Sequence, residues 1–191
     1  MGDEPLTYAA PLLSLRQFVN EHHGADGWQQ LQGVLAQLHG IELPSVIGAH
    51  RWLPTRWFTA SMNAGRDLFG PADFHLRFGA AAAEYEMSWV HRVALRFTSP
   101  LWLLERGAEY WGRAHDTGRW EVEGRTGFIR GTLRDFGIVD GGYCDSLRAW
   151  LTRACSMTGA GRVYVVERQC RARAAPDAVG SVDGCIFEGT W

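Results

Sequence analysis

The chain has 191 residues, 46% hydrophobic and 21% charged, which suits one globular domain able to bury its own core without staples. A formal net charge of −2, with all 19 basic residues arginine, excludes the basic stripe of a dedicated nucleic-acid or acidic-lipid binder. No stretch reaches the about 18 uncharged apolar residues needed to span a bilayer; the longest run, Ala80 to Ala83, is broken by Glu84 and Glu86.

The first residues, Met1 to Thr7, are polar and acidic, without the basic and apolar regions of a secretory leader. The expectation is a cytoplasmic protein with reduced cysteines, one domain over 1–191, and a disordered tail over 1–11. Leu13 and Phe18 mark a helix from Leu12 to His22, closed by His23-Gly24, and Asp26 can cap a second over Gly27–Leu38. Pro54 suits the first turn of a third helix running to about Leu68. Phe74, Phe78, Ala81, Tyr85, Trp89 and Val93 fall at helical intervals in a long segment, Ala72 to Phe97. Ser99-Pro100 opens another helix with Trp102, Leu103 and Tyr110 on its apolar side. This aromatic stripe is either core packing or the lining of a cavity.

The pattern changes after Asp116-Thr117-Gly118. Trp120 and Val122 alternate with Glu121 and Glu123, and Ile129 and Leu133 with Arg130, Thr132 and Arg134, which predicts a two-stranded ribbon with charges paired across its outer face. A helix over Gly142–Thr158 follows. Two further strands lie in Gly161–Arg173 and Gly184–Trp191, joined by a small polar loop, Ala174–Val182. The predicted fold class is α+β: an N-terminal helical layer packed on an antiparallel sheet of about four strands, built as two hairpins flanking a helix.

Four cysteines fall in this last third. Cys144 and Cys155 are three helical turns apart, about 16 Å, and cannot share an ion. Strict alternation places Cys170 with Tyr164, Val166 and Arg168, and Cys185 with Phe187 and Trp191. With Cys144 near the entrance of its helix, the trio Cys144, Cys170 and Cys185 can meet at one corner. That corner is either a structural zinc site or three buried cysteines acting as small hydrophobes.

Cys144, then Cys170-Arg171-Ala172-Arg173, then Gly184-Cys185-Ile186-Phe187 resembles the 4-vinyl-reductase type of small-molecule-binding domain, and an uncharacterised bacterial paralogous family within that group. His23-Gly24 to Gly27-Trp28, Trp52-Leu53-Pro54 to Trp57-Phe58, Ser99-Pro100 with Trp102, Tyr110-Trp111, and Asp116 to Gly118 extend the resemblance over roughly residues 12 to 191. It implies the fold shared by nitric-oxide-sensor-like ligand-binding domains and Golgi transport tethering subunits, with dimerisation as the usual state. Related phenol-sensing regulators, which this arrangement resembles, hold zinc through three cysteines and an acidic residue on the preceding strand. Here the expected acid is not evident: the preceding strand offers Asp135, and its neighbour Glu121 and Glu123.

No nucleophile elbow, phosphate loop, dinucleotide glycine pattern or zinc-protease motif occurs. His22 and His23 sit at a helix end, His75 and His115 have no evident partner, and His91 lies beside the aromatic stripe. Arg77, Glu84, Glu86 and Arg92 read as a solvated helix face. Arg168, Arg171 and Arg173 either guard a strand edge or hold an anionic ligand. The function expected is a non-enzymatic sensory or regulatory module. It would bind a hydrophobic small molecule between Trp89, His91, Trp102, Trp111 and Trp120, and signal as a homodimer or through a protein partner. The alternatives are a structural adaptor without ligand, and an enzyme or accessory acting on a hydrophobic or tetrapyrrole-like substrate.

Overall fold

The N-terminal half is helical because its apolar residues recur at helical spacing while glycine and proline fall at the breaks. The computed structural model describes residues 4–70, 72–87, 89–174 and 182–191, and of Trp89 and Val90 the backbone alone. Helix α1 spans Ala10–His39, but Gly24 within it adopts φ 71°, ψ 178°, so the expected break at His23-Gly24 is a kink between two arms. Its end at Gly40 is left-handed, φ 61°, a conformation glycine adopts without a Cβ penalty. Helices α2 (Thr55–Phe69), α3 (Phe74–Glu86), α4 (Trp89–Leu95) and α5 (Pro100–Ala114) follow. The segment expected as one helix over 72–97 is therefore divided, with Met87 extended at φ −101°, ψ 107°. Ser99 caps α5, its hydroxyl accepting from the Trp102 amide at 3.2 Å.

Within the segment expected as a tail, Leu6–Tyr8 forms strand β1 and pairs antiparallel with β2, Trp52–Pro54. The Asp116 carboxylate accepts from the Leu6 amide at 2.8 Å, which ties this strand to the end of α5. Three-residue strands carry too little alternation to be read from sequence.

The main sheet holds β3 (Arg119–Arg125), β4 (Phe128–Arg134), β5 (Tyr164–Gln169) and β6 (Gly184–Thr190), antiparallel, in the order β3-β4-β6-β5. The loop expected over 174–182 lies largely outside the described residues. On the sheet's outer face the alternation predicted from sequence holds: Glu121 accepts from Arg134 at 2.7 Å and Glu123 from Arg130 at 2.9 Å. Glu188 accepts from both Arg130 and Arg168. Exposed pairs of this kind contribute about 0–1 kcal/mol each, so they define the solvent face more than they hold the fold.

Helix α6 (Gly141–Ser156) lies between the two halves of the core. One side meets α3 so closely that a Cβ on Gly79 would fall 2.0 Å from the Ser146 carbonyl oxygen. The other carries Cys144, Leu151 and Cys155 into a cluster with Ile129, Val165 and Phe187 of the sheet. The larger cluster, around Phe18, Phe58, Met62 and Phe78 of α1–α3, extends to Trp111, Phe136 and Tyr143. Glu86 and Glu84 are on the solvated side as expected and also bond to α6: Trp150 donates to Glu86 at 2.9 Å and Arg153 to Glu84 at 2.8 Å.

Candidate metal centre

Asp140 starts α6, its carboxylate accepting from the Tyr143 amide at 2.7 Å. That cap places Cys144 in the first turn, facing the sheet and 5% exposed. The central strand β6 turns Cys185 and Phe187 to the same interior. Strict alternation would have sent Cys170 outward with Tyr164, Val166 and Arg168. The register of β5 against β6 slips between Glu167 and Gln169, and Cys170 follows in the turn after the strand, buried. A bulge that re-aims one side chain explains how the third sulfur joins the other two.

The Sγ atoms of Cys144 and Cys185 are 3.6 Å apart. Cys170 and the Glu167 carboxylate complete a group whose four ligand atoms all lie within 4.8 Å of one another. Four-coordinate zinc with Zn–S of about 2.3 Å sets neighbouring sulfurs about 3.8 Å apart, so the observed pair already has tetrahedral spacing. Glu167 supplies the acid missing from the sequence reading. Asp135 instead pairs with Arg119 on the surface, and Glu121 and Glu123 face solvent with their arginines. Glu167 Oε1 is buried without a hydrogen-bond partner, whereas Oε2 accepts from Arg173 Nη1 at 2.5 Å. A buried carboxylate oxygen is costly to leave unpaired, and a cation at the centre of the group would satisfy it.

Arg173, expected to guard a strand edge or hold an anionic ligand, is tied within the protein. Its guanidinium also donates to Asp145 at 2.5 Å and to the Gly141 carbonyl at 2.9 Å, so it joins the hairpin to the first turn of α6. The Arg171 amide lies 3.4 Å from Cys185 Sγ, and its side chain donates to the Phe136 carbonyl at 2.7 Å. The close contact of the two sulfurs draws the Cys185 pKa down and pushes that of Cys144 up. Burial raises the Cys170 thiol. Cys155 stands apart from the group, its thiol pushed up to about 12 by burial. A divalent ion would turn the three thiols of the group into thiolates.

The residues expected to line a pocket are not all together. Trp111 and Trp120 meet edge to face, ring centres 5.9 Å apart, with Trp120 also 5.8 Å from Phe187. Trp111 donates its indole N–H to the Thr117 carbonyl at 3.1 Å. Trp102 is exposed on α5 and His91 on α4; Trp89 is in α4, its side chain outside the description. Phe58, Phe78, Phe136 and Tyr143 are in ring contact between α2, α3 and α6.

No family model matches the chain, and no curated protein matches it in sequence. Solved structures do match. An H-NOX protein from S. oneidensis in its Fe(II)NO state superposes with a TM-score of 0.66 at 13% identity, over 95% of this chain and 97% of that one. An Fe(II) unliganded H-NOX protein from K. algicida gives 0.65 at 9% identity, over 96% of this chain and 95% of that one. The likeness is one of fold. It agrees with the nitric-oxide-sensor-like architecture that the motifs implied, while the 4-vinyl-reductase family itself is not shown.

Another match concerns haem redox potential and porphyrin distortion. Neither His75 nor His115 is placed as a haem ligand would be. His115 is stacked on Trp111 at 3.8 Å with Nδ1 against the Thr7 hydroxyl, and His75 packs against Gly142. The cleft that His75 borders is walled by arginine and aspartate, the reverse of the apolar slot a porphyrin needs.

Proposed function

We propose that the chain is a non-enzymatic sensory or regulatory module whose C-terminal hairpin is fastened to α6 by a structural zinc ion. Cys144, Glu167, Cys170 and Cys185 would hold it. The observation that carries this reading is the buried, unpartnered Glu167 Oε1 beside three sulfurs at ligand spacing. Four protein ligands fill a tetrahedron and leave no open position, so such an ion shapes the domain and does no chemistry. Arg173 keeps Glu167 aimed at the centre and offsets part of the negative charge of three thiolates and a carboxylate. Metal analysis of protein prepared with reductant and zinc tests the reading. About one zinc per chain is expected, and a chain that takes up none after denaturation and refolding with zinc overturns it.

The input would be a hydrophobic small molecule entering beside Trp111 and Trp120, the pair of expected lining residues that meet between α5 and the sheet. The output would be contact with a second copy or a protein partner. Phe97 is 87% exposed, and Trp102 and Tyr110 stand out from α5 two turns apart. That apolar surface also favours a second reading, an assembly adaptor with no ligand. Stabilisation by a panel of hydrophobic compounds, lost in Trp120→Ala, separates the sensor from the adaptor. The adaptor predicts no stabilisation and a change of oligomeric state in Phe97→Glu.

A further inference from the structure

One built feature lies apart from the metal corner. Between α2, the start of α3 and the first turn of α6 is an open cleft of about 570 Å³. Its floor includes Gly141 and Gly142, the first residues of α6, whose amides belong to the helix turn that has no internal hydrogen-bond acceptor. Neither carries a side chain to cover those amides, and the positive end of the helix dipole points the same way. Most carboxylates bordering the cleft are already committed. Asp140 accepts from the Tyr143 amide and from Asn63 at 2.9 Å, and Asp145 accepts from Arg173. Asp73 is exposed. Arg148 approaches Asp145 only at 3.8 Å, beyond hydrogen-bond range, and keeps its donors for another acceptor.

His75 supplies an independent indication of a ligand. It lines the cleft, is 8% exposed, and its Nε2 is buried without a hydrogen-bond partner. The ring lies so close over Gly142 that a Cβ there would come within 2.5 Å of it. Burial lowers the His75 pKa and its other partner is the Met62 backbone, which leaves Nε2 as the acceptor nitrogen of a neutral ring. A ligand that suits this cleft is an anion that also carries a proton to donate. Carboxylate and sulfate have none at neutral pH; a phosphate has both.

We propose that the cleft binds a phosphate group, free or as the monoester of a small metabolite. The Gly141 and Gly142 amides and Arg148 would receive its oxygens, and its P–OH would donate to His75 Nε2. The test is calorimetric titration of the full chain with inorganic phosphate, with sulfate, and with glycerol phosphate, at matched ionic strength. Phosphate is expected to bind at least about tenfold more tightly than sulfate, as a charge-assisted hydrogen bond to a buried acceptor requires. Arg148→Gln should weaken both anions by about tenfold or more, whereas His75→Phe should bring phosphate down to the level of sulfate and leave sulfate unchanged. Glycerol phosphate binding more tightly than free phosphate would identify a monoester as the occupant, and the reverse order the free ion. Absence of phosphate binding in wild type, or binding unaltered in a folded Arg148→Gln protein, overturns the proposal. Neither result bears on the cysteine corner, since His75 and Arg148 are not among its ligands.

Discussion

Removal of the proposed zinc is the perturbation with the largest expected effect. The four candidate ligand atoms come from α6, β5, the turn after it and β6, so one ion would tie positions 144 and 185 together where all four cysteines are free. At free zinc about a thousandfold above Kd, binding stabilises the folded state by about 4 kcal/mol. For a chain of this length each kcal/mol moves Tm by about 2–4 °C, so a strong chelator should lower Tm by about 8–16 °C. Cys144→Ser takes away one sulfur and its contact with Cys185. It should start from a lower Tm and respond to chelator by a small fraction of the wild-type change. Cys155→Ser should keep the full response, because Cys155 lies outside the group. Scanning fluorimetry of the three proteins, in reductant and with and without chelator, reads all of this. A wild-type Tm that ignores chelator, or an equal drop in Cys144→Ser, would refute the reasoning and leave the cysteines as small core residues.

Three further outcomes follow from the packing. Gly79→Ala should cost about 1–3 kcal/mol, since its methyl meets the Ser146 backbone and α3 and α6 must separate; urea midpoints measure it. Asp140→Ala removes the α6 cap and the Asn63 bond, and should cost about 1 kcal/mol and weaken zinc binding through the position of Cys144. His115 is held neutral, its pKa lowered to about 4 by burial. The unfolded chain therefore binds the proton first, and the stabilisation is present above the unfolded value of about 6.5 and lost as pH falls towards 4, by about 3 kcal/mol. Glu86 acts in the opposite sense. Although the residue is largely exposed, desolvation of its carboxyl beside Ser14 and Trp150 raises its pKa to about 7, so its contribution is lost as pH rises from about 4.5 to 7. The two slopes overlap, so the wild-type profile should be flatter than that of either His115→Gln or Glu86→Gln; urea midpoints from pH 4 to 8 check it.

Much of this organisation is legible in the sequence. Alternation of Trp120, Val122, Ile129 and Leu133 with charged neighbours fixed the ribbon and its two faces, because one side is buried and the other wet. Ser99 and Gly40 marked helix ends through cap chemistry that is local in sequence. The limits of the reading also have physical causes. Cys170 reaches the interior only because β5 slips its register, and a bulge leaves no mark in the hydrophobic pattern. Glu167 lies on β5 itself, three residues before Cys170, whereas the resemblance points to an acid on the strand before α6. Trp102 and His91 share helical spacing with buried aromatics, yet periodicity does not tell which side of a helix the rest of the protein will cover.

The order of the main sheet has a consequence for how the molecule assembles. β6 is inserted between β4 and β5, both made earlier, and β5 pairs with nothing else in the sheet. During synthesis the β3–β4 ribbon must therefore wait with one bare edge through α6 and β5, exposing the groups that invite a foreign strand. Until Gly184–Thr190 arrives, two of the sulfurs face each other's surroundings without the third, and the ion has no complete seat. If the corner holds zinc as proposed, completion of the sheet and capture of the ion would be a single late event, and zinc starvation should show itself as aggregation of newly made chains.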